Sequence, residues 1–177
     1  FTGGQSKTID LIAMGVEGTN EGALEISSIP PINLQQSLYY LIGYPHGCVE
    51  QTTSKSFAQM LLPDVVEVTD NDKRRIESNV KAGIAKLLRM QVSDGGFAYW
   101  EGQLTSSEWG SNYAGHFLVE AQKHGYNVPR SALDKWRKFQ TKLSNEYSDA
   151  STTYNGYNGG LNQAYRLYTL SVYGKPN

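Results

Sequence analysis

Cys48 and Gln51 stand three residues apart in the run Gly47-Cys48-Val49-Glu50-Gln51, and Cys48 is the one cysteine of the chain. It has no intrachain disulfide partner and no second thiolate with which to build a zinc site. Its value lies in packing, in its own reactivity, or in a bond to something other than sulfur. A buried free thiol acting as a small hydrophobe is the ordinary case. Gln51 offers a different one. If the Cys48 sulfur replaces the side-chain amide nitrogen of Gln51, the product is an internal thioester. A thiolate leaves far more readily than an amide nitrogen, the free thiol having a pKa of about 8.5. The Gln51 carbonyl would then be an acyl group open to attack by an amine, a hydroxyl or water.

Such a bond needs a sharp turn followed by a helix. Pro45 and Gly47 mark the turn, because glycine reaches dihedrals that other residues resist. The i to i+3 spacing puts the Cys48 and Gln51 side chains on one side of a first helical turn, where helix N-terminal amides favour a thiolate. Glu50 is a favourable carboxylate in that first turn whether or not it serves the site. Tyr44 and His46 are candidates for lining it, with His46 as a plain turn residue the simpler reading.

The rest of the chain reads as helices after a short extended start. Thr8–Met14 and Ala23–Ile29 alternate like strands, separated by turn residues at Gly15, Gly18, Asn20 and Gly22. After Pro30-Pro31 the period lengthens. A helix is expected from Asn33 through Leu34, Leu38 and Ile42, and a second from Cys48 to Leu62, stopped by Pro63. A third is expected to be capped by Asn71-Asp72 and to run towards Gln91. Ser107–His124, Ser131–Leu143 and Leu161–Tyr173 follow as the fourth to sixth. Short helices separated by turns imply helical hairpins stacked in an arc or ring. The fold class expected is therefore mainly α, helical hairpins with a short N-terminal β segment. Residues 1–32 form the β linker and residues 33–177 the helical domain.

The chain has 177 residues, enough for one domain with a real core. Its 16 basic residues balance 17 acidic ones, so charge gives no reason to expect a nucleic-acid partner. No segment is apolar for long enough to span a bilayer. Phe1-Thr2-Gly3-Gly4 lacks the basic start and apolar core of a signal peptide.

The stretch Tyr44-Pro45-His46-Gly47-Cys48-Val49-Glu50-Gln51-Thr52-Thr53-Ser54 resembles the thioester segment of the alpha-2-macroglobulin and complement family. Val49 fits the bacterial form, where complement proteins carry glycine. Ile29-Pro30-Pro31-Ile32-Asn33-Leu34 and Leu38-Tyr39-Tyr40-Leu41 resemble the lead-in. Asp94-Gly95-Gly96-Phe97-Ala98-Tyr99-Trp100 and Trp109-Gly110-Ser111-Asn112-Tyr113 resemble parts of the helical domain. By themselves, Asp and Gly there signal a tight turn. The resemblance reaches from about Glu25 onward.

This resemblance implies a fragment of a bacterial protease inhibitor. Its Cys48–Gln51 thioester would covalently trap attacking proteases through their lysines, once per molecule and without turnover. It implies supporting roles for Tyr44, Gly47 and Glu50. It also implies that the helical hairpins form a partial α/α toroid, with further toroid helices beyond Asn177, β domains as neighbours in the same chain, a periplasmic or cell-envelope setting, no cofactor and no metal. The family shields the bond with a neighbouring domain, so an excised fragment is expected to hold a free Cys48 thiol. Complement proteins carry a histidine before a Gly-Gly-aliphatic step and favour hydroxyl targets. The similar step here is Gly159-Gly160-Leu161, which makes Asn155 the nucleophile-selectivity position and amines the preferred attackers.

Three other readings compete. A terpene-cyclase-like toroid enzyme would need an acidic motif, for which Asp70-Asn71-Asp72 is the dense candidate. A Cys-His hydrolase would pair Cys48 with His116 or His124. A plain helical interaction module would carry no thioester.

Overall fold

Apolar residues at helical spacing build the described core. The computed structural model describes residues 40–148 and 159–174, together with Gly4, Ser6, Thr8, Asp10, Ile12, Gly15, Val16, Gly18 and Thr19. The chain divides into two units, Phe1–Asn33 and Leu34–Asn177. In the first, Thr19 folds back on Val16 through its backbone N–H and its hydroxyl, both donated to the Val16 carbonyl. The expected strand Ala23–Ile29 and the helix begun at Asn33 lie outside the described residues, as does most of Thr8–Met14. Where the expected first helix would end, Tyr40 and Leu41 form a turn.

Five α-helices are described in the second unit: α1 Val49–Leu61, α2 Asp70–Met90, α3 Glu108–Lys123, α4 Arg130–Glu146 and α5 Gly159–Val172. Each lies within a few residues of an expected helix. A 3-10 turn, Leu62–Asp64, with Pro63 inside it closes α1. The start of α2 differs from expectation. Thr69 is its N-cap, not Asn71-Asp72: the Thr69 hydroxyl oxygen accepts from Asp72 N–H at 3.1 Å and donates to Asp72 Oδ2 at 2.7 Å. That reciprocal pair satisfies an orphan N–H and holds a carboxylate in the first turn.

Helix α1 packs against α2 and α3, and α3 packs against α4 and α5. The odd helices thus stand side by side while α2 and α4 return between them, the layering of a partial α/α toroid. The core between them includes Val49, Val80, Leu87, Phe97, Phe117, Leu118, Leu133 and Trp136. Close approaches fix the spacing. A Cβ on Gly115 would collide with the Trp136 indole, and one on Gly83 with the Ser56 hydroxyl. The Trp136 ring nitrogen is satisfied by the Ser111 carbonyl at 2.8 Å. Arg166, buried on α5, is held by Gln140, Gln163 and Glu108 at 2.6 to 3.0 Å.

The strands were expected within the first 30 residues only. Two further strands, β1 Phe97–Ala98 and β2 Ser106–Ser107, pair antiparallel. They are too short to show alternation in sequence. Asp94 shapes the turn before β1, accepting from Gly96 N–H and from the Ser106 hydroxyl, both at 2.8 Å.

Candidate functional site

Cys48 is the N-cap of α1, with extended backbone at φ −72° and ψ 179°. Cys48 and Gln51 close a capping box: the thiol faces the Gln51 backbone N–H, and Cys48 N–H donates to Gln51 Oε1 at 3.1 Å. This arrangement usually has Ser or Thr in the first position and Glu or Gln in the fourth. Here a sulfur takes the place of the hydroxyl. The two side chains a thioester would join therefore both take part in the cap of one helix start. Cys48 is buried at 4% exposure, while Gln51 is exposed.

Gly47 is demanded twice. Its φ is +106°, and a Cβ there would run into the Gln51 side-chain carbonyl, with the Gln51 Cδ at 2.8 Å. The Gly47 carbonyl is held by the Lys86 ammonium at 2.8 Å and by the Thr52 hydroxyl at 3.4 Å. Lys86 also reaches the Pro45 carbonyl at 3.4 Å. Val49 N–H, an orphan donor of the first turn, donates to the Tyr99 carbonyl at 3.0 Å.

Tyr44 and His46 are exposed and form a tilted ring pair with centroids 4.5 Å apart. Glu50 accepts from the Tyr99 hydroxyl at 3.3 Å. The Tyr99 phenol also faces Cys48. Hydrogen bonding to the Cys48 side chain, then charge at Cys48 and Glu50, push it up to about 12. Asn155 lies outside the described residues.

Neither His116 on α3 nor His124 at its C-cap joins Cys48. His116 Nδ1 meets the Tyr165 hydroxyl at 2.9 Å, with edge contacts to Phe57, Tyr165 and Tyr168. Burial lowers its pKa below the ordinary histidine value. His124 Nδ1 turns back to the Glu120 carbonyl. Among the described residues, neither His116 nor His124 hydrogen-bonds the Cys48 thiol. Asp72 is engaged by Thr69 and Arg75, and Asp70 faces solvent beside Lys73. No group of three or more His, Cys, Asp or Glu side chains placed to hold a metal occurs among the described residues.

The alpha-2-macroglobulin of Escherichia coli strain K12 is 37% identical over 123 residues, 66% of this chain and 7% of that protein. Native alpha-2-macroglobulin from Escherichia coli, solved from domain MG7 to the C-terminus, superimposes with a TM-score of 0.66 and 29% identity. That match covers 84% of this chain and 24% of the other. The chain is homologous to the bacterial alpha-2-macroglobulins. Salmonella alpha-2-macroglobulin reacted with methylamine is similar too, with a TM-score of 0.63 and 30% identity over 81% of this chain and 10% of that one. No family model matches the chain. It spans about 7% of the length of the curated alpha-2-macroglobulins it matches.

Two residues of the site carry no sequence signal for it. Lys86 lies 39 residues from Gly47, near the C-terminal end of an ordinary helix. Tyr99 falls in the Asp94–Trp100 run, whose resemblance to an alpha-2-macroglobulin turn names no role for its hydroxyl. The β1–β2 hairpin delivers it to α1. Chemically, Cys48 N–H is aimed at the oxygen on which negative charge would build during attack at the Gln51 carbonyl carbon.

Proposed function

We propose that the chain is the helical part of a bacterial alpha-2-macroglobulin-like protease inhibitor, in which Cys48 and Gln51 form an internal thioester. A lysine of an attacking protease takes the Gln51 acyl group, and Cys48 is released. Each molecule reacts once, so the protein is a trap and not an enzyme. One observation carries this reading: Cys48 and Gln51 already form the reciprocal cap of one helix, with the Cys48 N–H on Gln51 Oε1 at 3.1 Å.

The similarity to a Salmonella homologue that has been reacted with methylamine supports it, since a small amine is the kind of nucleophile a thioester accepts. In this reading Gly47 permits the approach, Glu50 and Tyr44 flank it, and Asn155 sets the preference for amines. Asparagine has no basic nitrogen with which to take a proton from a hydroxyl attacker. Residues 1–32 lead in from a neighbouring β domain of the same chain, residues 33–177 belong to the thioester-bearing domain, and the protein works in the periplasm or cell envelope.

Mass spectrometry of the full-length protein before and after methylamine tests the reading. A mass short by one ammonia, then uptake of one methylamine with the appearance of one thiol at Cys48, is expected. An intact Gln51 amide with no uptake would overturn it.

A further inference from the structure

Tyr99 places its hydroxyl beside two groups of the first turn of α1. The oxygen donates to Glu50 Oε2 at 3.3 Å, and the Cys48 side chain lies beside it. Its backbone is pinned to the same turn, the Tyr99 carbonyl accepting from Val49 N–H at 3.0 Å. Its ring lies edge-on to Trp100 with centroids 5.9 Å apart. This hydroxyl has no part in the supporting roles of Tyr44, Gly47 and Glu50.

We propose that Tyr99 is the leaving-group donor of the acyl transfer, moving its hydrogen bond from Glu50 to the Cys48 sulfur as the acyl–sulfur bond breaks. This rests on the thioester reading above. A neutral amine attacks the Gln51 carbonyl carbon, and the carbonyl electron pair moves to Oε1, which Cys48 N–H holds. Collapse of the adduct breaks the carbon–sulfur bond, and that electron pair leaves on Cys48 Sγ. The amine nitrogen loses its proton to water, and an amide remains.

Tyr99 keeps its own proton throughout. Contact with Cys48 and the charge of Glu50 make its ionisation harder, so it acts as a hydrogen-bond donor and not as an acid. Hydrogen bonds to an ionised acceptor are about twice as strong as neutral ones. A donor aimed where charge develops lowers the barrier, because it gains strength only as the bond breaks. The long 3.3 Å contact to Glu50 is a weak bond, so little is lost when the hydrogen turns to sulfur.

Tyr99→Phe tests this in the full-length protein, because it keeps the ring against Trp100 and the carbonyl on Val49 while removing only the hydroxyl. Methylamine uptake is followed in time by mass spectrometry. The released Cys48 is then alkylated with iodoacetamide across a pH series. The variant should take up methylamine about tenfold more slowly than wild type, and its thiol should alkylate with a midpoint at higher pH. Equal rates and equal midpoints would overturn the donor role while leaving the thioester in place. If the variant forms no thioester, its Cys48 is already a thiol, and an unshifted alkylation midpoint overturns the proposal in the same way. Absence of uptake by the wild type would instead overturn the thioester reading, and the donor role with it.

Discussion

The Lys86 ammonium donates to the Gly47 carbonyl at 2.8 Å, tying the C-terminal part of α2 to the turn that starts α1. A second contact, to the Pro45 carbonyl at 3.4 Å, spreads the hold over the whole bend. The turn depends on a charge that is distant in sequence and near in space. Lys86→Met keeps the aliphatic stem and removes the donor. It should lower stability by about 1 kcal/mol, read as a shifted denaturation midpoint of the chain, and reduce the fraction of full-length protein able to take up methylamine. An unchanged midpoint would show that the contact contributes nothing.

Gly47→Ala meets two penalties, a φ of +106° and a collision with the Gln51 side chain. Gly102→Ala meets the first alone, since its φ is +89° with nothing nearby. Left-handed backbone costs roughly 1–2 kcal/mol for a residue with a Cβ. Gly102→Ala should therefore lose about that much and still react with methylamine. Gly47→Ala should lose more and fail to react. Equal losses in a denaturation series would show that Gln51 simply moves aside.

Cys48→Ser separates the two duties of this position. Serine is a strong N-cap residue, so the variant should be as stable as wild type or slightly more. Cys48→Ala, without a cap, should lose about 1 kcal/mol. Neither should form covalent protease adducts on a denaturing gel. Adducts persisting in either one would end the trap reading.

His116 makes stability depend on pH. Burial holds its folded pKa below the unfolded value of 6.5, so the unfolded chain binds more protons between the two values. Its contribution is complete above pH 6.5 and is lost as the pH falls through that value towards the lowered folded pKa. Denaturation midpoints should drop across this window in wild type. His116→Gln should flatten that part of the drop, and a profile identical to wild type would refute the assignment.

Helices α2 and α4 were legible because they bury recurring apolar sets: Ile76, Val80, Ile84 and Leu87 on α2, Leu133 and Trp136 on α4. The cap of α2 was misplaced because Thr69, Asn71 and Asp72 are all able to cap. Only the reciprocal bond between Thr69 and Asp72 decides among them. The Cys48–Gln51 pair was legible from its spacing. Its identity as a capping box was not, because cysteine is outside the usual set of cap formers. Lys86 and Tyr99 were invisible as site residues. Periodicity says which face of an element turns inward, but not which turn 39 or 49 residues away it will meet.

The cap on α1 closes with Cys48 as a free thiol. The helix start therefore needs no covalent bond to hold its form. If Cys48 and Gln51 are joined as proposed, spending that bond would leave a start this helix holds unaided, and a signal of reaction would come from the attached cargo or from whatever surface it pushes aside.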